Sequence, residues 1–347
     1  MAGAVSGVRA LAGVLADPAR AARLDAQQWT TLLTVARAEQ LLSALAMRVD
    51  GIAVPAPVGA ILSDARAIAQ EARRAALWEA EVVRRALLPL GERVVLLKGT
   101  AFAAGGLLAG QGRLIGDLDI LVARAALPRV ETALLAAGWA WAKPDAYDDA
   151  YYRRWMHELP PLIHRDRDRL LDVHHTILPI TARITPDAAA IVADAIPLST
   201  GLWMPCPEDM VIHAALHLFA DGDLSGGLRN LWDIDRLLRE FTDDRGDFWA
   251  RLAARTARHG AARPLQRALR LSAHFFGTPV PAESARLRGG DAWFARRLLA
   301  RDGWGRATRP ATRLAFYVRS HWIRMPAPLL ARHLAIKMWK RVVPARS

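Results

Sequence analysis

The sequence predicts an α+β fold that is mostly helical, with a small mixed β-sheet core between helical N- and C-terminal regions. Apolar residues recur at three- and four-residue spacing near both ends of the chain, which is the period of an amphipathic helix. Short apolar runs typical of strands occur instead between about residues 91 and 180. We therefore divide the chain into an N-terminal helical region (1–90), an α/β core (91–180) and a C-terminal helical region with a basic amphipathic tail (181–347).

Two helical patterns account for most of the N-terminal region. The first follows Asp25, a candidate N-cap, and its apolar positions include Trp29, Leu32 and Leu33. The second is a long amphipathic pattern over about residues 57–88, between proline breaks. We assign this region a packing role, with substrate contacts as the alternative.

A strand followed by a glycine turn opens the core. The apolar run at residues 93–97 predicts the strand, and the alanine-rich residues 101–108 predict a helix with Thr100 as its N-cap. A helix N-terminus after such a turn binds anions, because its backbone N–H groups and dipole point at the ligand. Gly99 and Thr100 are therefore candidate phosphate ligands. Lys98 is one of few lysines in an arginine-rich chain, so it either supplies a compact ammonium to the phosphates or ends the strand in solvent.

Two carboxylates alternate along the next predicted strand. Asp117 and Asp119 follow Gly116 and share one strand face, roughly 6–7 Å apart along the strand. Carboxylates this close repel each other, and a hard divalent cation such as Mg²⁺ is the usual compensation. Because D-x-D pairs are common by chance, the adjacent phosphate turn is what favours a metal site here.

A third acid lies on a later predicted strand at residues 170–173. Asp172 and His174 share one face of that strand. Metal-assisted phosphoryl transfer uses carboxylates that hold the ions and activate the attacking hydroxyl, so Asp172 is a candidate for both roles. The alternative is an edge-strand acid paired to Arg167 or Arg169. For His174, a structural role competes with metal binding or catalysis.

These motifs together resemble the uncharacterised nucleotidyltransferase family of the polymerase-beta-like nucleotidyltransferase superfamily, over roughly residues 25–240. The resemblance implies an NTP as the substrate and Mg²⁺, or alternatively Mn²⁺, as the cofactor. It assigns the metal to Asp117, Asp119 and Asp172, and the nucleotide to Lys98, Gly99, Thr100 and Arg113. Thr100 stands where the superfamily usually has serine or glycine, and its hydroxyl can make the same phosphate contact.

The C-terminal region contains two further candidate pairs. A helix after Pro207 places His213 and His217 on one face, where metal binding competes with core or interhelical hydrogen bonding. A later helix places Arg229 and Asp233 four residues apart, a favourable ion-pair spacing. In the resembling family a similar helical pair follows the catalytic sheet. His174, His217, Arg229 and Asp233 are thus candidate cleft residues, with a buried ion pair between two helices as the alternative for Arg229 and Asp233.

The amino-acid composition indicates more about the cellular compartment of the protein than about its activity. The formal net charge is +13, but almost all of it is arginine in an alanine-rich background, which is typical of a GC-rich bacterial genome. Cys206 is the single cysteine, so an internal disulfide is excluded and a reducing compartment is indicated. No signal peptide or transmembrane segment is predicted. The basic tail from about residue 319 either lies on an anionic membrane surface, docks on a partner or packs as a helix. We therefore expect a cytoplasmic protein, with peripheral contact to the inner membrane as an option.

The expected reaction is Mg²⁺-dependent transfer of a nucleoside monophosphate from an NTP to an acceptor hydroxyl or amine. The acceptor is unknown and could be a small molecule, a protein or tRNA. One alternative is a toxin-like enzyme that adds nucleotides to tRNA, whose activity would fall steeply with salt. The other is a non-catalytic member that binds a nucleotide or supports a membrane-associated polysaccharide assembly.

Overall fold

The protein is a mostly helical α+β protein with a mixed β-sheet. The computed structural model describes residues 6–143, 145–244, 246–328 and 330–331. Its α-helices are α1 (Ser6–Ala16), α2 (Ala26–Ala38), α3 (Leu42–Arg48), α4 (Ala56–Leu87), α5 (Lys98–Ala104), α6 (Leu127–Ala136), α7 (Ala146–Trp155), α8 (Ala188–Ala193), α9 (Pro207–Leu216), α10 (Gly227–Asp244), α11 (Phe248–Arg258), α12 (Ala262–Phe276), α13 (Asp291–Leu298) and α14 (Pro310–Arg324). Its strands are β1 (Val95–Leu96), β2 (Asp117–Leu121), β3 (Trp139–Trp141), β4 (Leu162–His164), β5 (Leu170–His174), β6 (Ile196–Pro197) and β7 (Trp203–Met204).

The N-terminal helices begin where the sequence predicts. Asp25 caps α2 through a complete capping box: its carboxylate accepts from Gln28 N at 2.8 Å, and Gln28 Oε1 accepts from Asp25 N at 2.9 Å. The long amphipathic helix is α4, which starts directly after Pro55. Helix α4 packs against β2, α5 and α6, so the N-terminal region supports the core from one side.

The strands form one sheet in the order β3-β4-β5-β2-β1-β7-β6. Strand β2 lies between β5, which runs parallel to it, and β1, which runs antiparallel. Alternation along β2 buries Leu118 and Ile120 on one face and directs Asp117 and Asp119 to the other. A central position for β2 places its acids beside side chains from both neighbouring strands.

Two local predictions differ from the structure. A helix is present after the glycine turn as predicted, but its predicted start and N-cap at Thr100 are wrong: α5 begins at Lys98, and Leu97 is its N-cap residue. Lys98 has a φ of 48°, in the left-handed region, so the chain turns sharply at this residue before continuing as helix. The helix carrying His213 does not continue as regular α-helix to His217, because a π-helical turn starts there and runs to Asp221.

The hydrophobic core runs continuously through the regions that the sequence separates. Leu11, Ile120 and Phe316, each fully buried, belong to one contact cluster. The division at residues 90 and 180 stays a prediction. Within the described residues, every helix is too short or too polar to traverse a lipid bilayer. The tail predicted to be basic and amphipathic lies outside the described residues from residue 332 onward.

Candidate active site

Strand register brings the predicted acids together. In the parallel pair of β2 and β5, Asp119 stands opposite Asp172, and Asp117 lies two residues before Asp119 on the same face. One carboxylate oxygen from each of the three lies within 4.8 Å of the other two. Asp119 is buried, Asp172 is half-buried and Asp117 is exposed, so the cluster reaches from the core to the surface.

Crowding of carboxylates changes the protonation of Asp172. Burial, together with the charges of Asp119 and Asp117, raises the pKa of Asp172 to about 7. The predicted alternative for this acid is wrong, because β5 is an interior strand and Arg167 pairs with Glu79 at 2.9 Å instead.

Asp119 is the acid with direct cationic support. Burial alone would raise its pKa, but the Lys98 ammonium and a hydrogen bond from His174 hold the pKa well below its usual range. Lys98 Nζ donates to Asp119 Oδ1 at 2.6 Å, and His174 Nε2 lies 2.9 Å from the same oxygen. Burial would lower the pKa of Lys98, yet Asp119 raises it, so this lysine is charged and directed at the acids. The left-handed backbone at Lys98 accompanies this contact between its ammonium and Asp119.

Gly99 and Thr100 lie in the first turn of α5, and both are buried. The side chain of Arg113 lies directly over Gly99: a Cβ at this position would stand 2.4 Å from Arg113 Nε. That Nε is itself buried and has no hydrogen-bond partner within the described part of the chain. An unpaired N–H donor over a glycine at the start of a helix is suited to an anion.

Arg113 belongs to a chain of hydrogen-bonded groups that continues onto α10. Its guanidinium donates to Asp233 on α10, and Arg229 Nε donates to the other oxygen of the same carboxylate at 3.1 Å. Arg229 also donates to the backbone carbonyl of Gln40 at 3.1 Å. The predicted ion pair of Arg229 and Asp233 is thus confirmed. A cavity of about 260 Å³ is lined by Arg113, Arg229 and Asn230, so the chain of charges borders an open space.

Burial lowers the pKa of Arg113 to about 10, against the opposing charges of Asp119 and Asp117, so this guanidinium remains protonated at neutral pH. Burial, reinforced by the charge of Arg113, also lowers the pKa of Arg229 well below its usual value. Asp233 therefore holds two desolvated guanidiniums in place.

The predicted histidines lie on three elements: His174 on β5, His213 on α9 and His217 at the start of the π-helical turn. His174 is buried beside Asp119, and burial lowers its pKa although the bond to Asp119 opposes this. His213 on α9 is buried nearby, where burial and the charge of Lys98 lower its pKa well below the usual value. His217 begins the π-helical turn, near enough to His174 and His213 to contribute to the lowering of their pKa values. The three histidines therefore lie in one neighbourhood beside the acids.

Residues 145–158 contribute side chains near the acids, and none of them is among the site residues that the sequence predicts. Tyr152 on α7 has a pKa raised to about 12 by burial and by the charges of Glu158 and Asp172, so its phenol lies close to the acids. Tyr152, Tyr151 and Met156 line a cavity of about 510 Å³. The aromatic and acidic composition of this segment was the available signal, but nothing in the sequence indicates which strand it meets.

The acid cluster fits a divalent cation on its own chemistry. Its donors are carboxylate oxygens, which Mg²⁺ prefers, and three of them converge although like charges repel. Lys98 donates directly to one of these acids, Asp119, while burial and the charges of Asp119 and Asp117 raise the pKa of Asp172.

Comparison with known proteins agrees with this geometry. No curated protein matches the chain. A family model described as an uncharacterised nucleotidyltransferase matches residues 25–277, which include the acid cluster, the Lys98 turn and the helix that carries Asp233. The chain therefore belongs to this nucleotidyltransferase family.

Proposed function

We propose that the protein is a Mg²⁺-dependent nucleotidyltransferase that moves a nucleoside monophosphate from an NTP to an acceptor hydroxyl or amine. The observation that carries the proposal is the convergence of Asp117, Asp119 and Asp172 from two adjacent parallel strands. Family membership supports the reaction class. In this transfer a bond forms between the acceptor atom and the α-phosphorus. The bond between the α-phosphorus and the oxygen bridging to the β-phosphate breaks, and pyrophosphate leaves.

The three carboxylates would hold Mg²⁺, with Mn²⁺ as the alternative ion. When bound, the ion would neutralise the phosphates and favour a negatively charged transition state. Asp172 would take the proton of the acceptor, because its carboxylate is the partly exposed member on β5 and is not held by Lys98. Lys98 would keep Asp119 ionised and in position through its 2.6 Å contact.

The triphosphate would bind where Arg113 covers Gly99. The buried Nε of Arg113 has an unused N–H, and its guanidinium remains charged at neutral pH. Because Gly99 and Thr100 are buried in the structure, contact with their backbone N–H groups requires the Arg113 side chain to shift. The cavities lined by Tyr152 and by Asn230 are candidates for the base and the acceptor.

The test is transfer of label from each α-³²P-labelled NTP to a panel of tRNA, protein and small-molecule acceptors. We expect transfer to require Mg²⁺ and to be abolished in the double variant Asp117→Asn, Asp119→Asn. The control is Asp64→Asn, which removes an exposed acid of α4 and should leave transfer unchanged. Equal transfer by the double variant and the control would refute the proposal. Dependence on tRNA alone, with loss at high salt, would identify the toxin-like alternative.

A further inference from the structure

A second group of metal-ligand side chains lies beside the acid cluster. His157, Glu158 and His174 each offer one donor atom, and these atoms lie within 4.8 Å of one another. The sequence analysis gave no role to His157 or Glu158. The donor set differs from the acid cluster, because it contains two imidazoles and one carboxylate rather than three carboxylates.

Backbone pairing holds the group together. Glu158 and His174 are partners in an antiparallel bridge, and the next residue, Leu159, donates from its backbone to Val173 at 2.9 Å. The His157 carbonyl accepts from the backbone N–H of His175 at 2.9 Å. The three side chains therefore project from two paired segments, and their relative positions do not depend on a loose loop.

The donor spacing matches a small tetrahedral ion. Glu158 Oε2 lies 3.3 Å from His174 Nδ1 and 3.6 Å from His157 Nε2. An ion that binds nitrogen and oxygen at about 2.0–2.2 Å in tetrahedral geometry separates neighbouring donors by roughly 3.3–3.6 Å. Two histidines and one glutamate form a known zinc ligand set that leaves the fourth position open.

The orientation of His174 provides independent support. Its Nε2 must donate to Asp119 Oδ1, because an ionised carboxylate only accepts. The other nitrogen, Nδ1, faces the Glu158 oxygen at 3.3 Å, and it is buried with no hydrogen-bond partner among the described residues. A metal ion that accepts the lone pairs of Nδ1 and of the Glu158 oxygen fits this contact. A histidine that binds a metal through one nitrogen and donates to a carboxylate through the other is a common arrangement.

We propose that His157, Glu158 and His174 bind a divalent transition-metal ion of the zinc type, separate from the Mg²⁺ site. The ion neutralises Glu158 and fixes the His174 ring, which in turn orients Asp119. The cavity of about 510 Å³ lies next to this group, because Met156 in its lining precedes His157 in the chain and the charge of Glu158 acts on Tyr152 in the same lining.

The test measures bound metal and needs no catalytic assay. The full chain is stripped with chelator, loaded with Zn²⁺ in excess Mg²⁺ so that the all-oxygen cluster is filled, and dialysed; zinc is then counted by mass spectrometry. We expect one equivalent in the wild type, and a loss of affinity of about tenfold or more in His157→Ala and in Glu158→Gln. The matched controls are His175→Ala, which removes a neighbouring imidazole, and Asp117→Asn, which weakens the acid cluster; both should retain zinc.

Co²⁺ gives a second readout through its visible absorption. We expect the intense bands of a four- or five-coordinate site with nitrogen ligands in the wild type and their disappearance in Glu158→Gln. Circular dichroism separates loss of metal from loss of fold, and the near-isosteric Glu158→Gln covers the case in which His157→Ala does not fold. Zinc retained by both ligand variants, or lost only in Asp117→Asn, would overturn the proposal.

Discussion

Replacing Asp172 with asparagine should stabilise the metal-free protein at neutral and alkaline pH. The pKa of Asp172 rises from 3.8 to about 7 in the folded state, because burial and the charges of Asp119 and Asp117 disfavour its carboxylate. The folded protein therefore binds the proton more tightly than the unfolded chain does. Its free energy of unfolding falls as the pH rises from about 4 to 7, and the full cost is present above pH 7.

A pKa change from 3.8 to about 7 corresponds to about 4 kcal/mol. Asparagine removes the charge but remains a half-buried polar group, so we expect a gain of about 2–4 kcal/mol at pH 8. The gain should shrink towards zero at pH 4, where the wild-type carboxyl is protonated in the folded state. Saturating Mg²⁺ should stabilise the wild type more than the variant, because the ion binds the ionised acid.

Urea unfolding followed by circular dichroism in chelator, at pH 4 and pH 8, measures these differences. Asp64→Asn is the control, because Asp64 is an exposed acid on α4, far in sequence from the cluster; we expect no change with pH relative to the wild type. A variant Asp172→Asn that is no more stable than the wild type at pH 8, or equally stabilised at both pH values, would refute the view that burial and the neighbouring carboxylates disfavour the charged form of Asp172.

Three further substitutions test the surroundings of the acids. Gly99→Ala places a Cβ 2.4 Å from Arg113 Nε, so the guanidinium must move; we expect a loss of about 1–3 kcal/mol in urea unfolding and weaker ATP binding by calorimetry, whereas unchanged values of both would contradict the contact. Lys98→Met leaves buried Asp119 without its ammonium, and the expected loss in urea unfolding is about 3 kcal/mol; a loss below about 1 kcal/mol would mean that the pair contributes little. Asp233→Asn removes a carboxylate bonded to two buried guanidiniums, and thermal unfolding should show destabilisation of about 3 kcal/mol; a wild-type melting temperature would show that the guanidiniums find other partners.

The acids could be found from the sequence because strand geometry fixes them locally. Alternation places Asp117 and Asp119 on one face whatever the rest of the chain does. The meeting of Asp119 with Asp172 needed only that β5 lie beside β2, which the resemblance implied. The cap at Asp25 and the ion pair of Arg229 with Asp233 are also local, since each involves residues three or four apart.

The features of the site that the sequence does not predict depend on tertiary contacts. The left-handed turn at Lys98 violates local preference, and the bond to Asp119 that accompanies it is 21 residues away in the chain. Glu158 and Tyr152 approach the acids only because their segment folds back along β5. The π-helical turn at His217 likewise has no marker in the residue pattern.

The hydrogen-bonded chain from the Gln40 carbonyl through Arg229 and Asp233 to Arg113 has a consequence for truncating this protein. A fragment limited to the sheet would keep Arg113 but lose its counterion Asp233. A fragment without the N-terminal helices would lose the Gln40 carbonyl to which Arg229 donates. A stable fragment must therefore include the regions on both sides of the sheet. The span matched by the family, residues 25–277, contains every residue of that hydrogen-bonded chain.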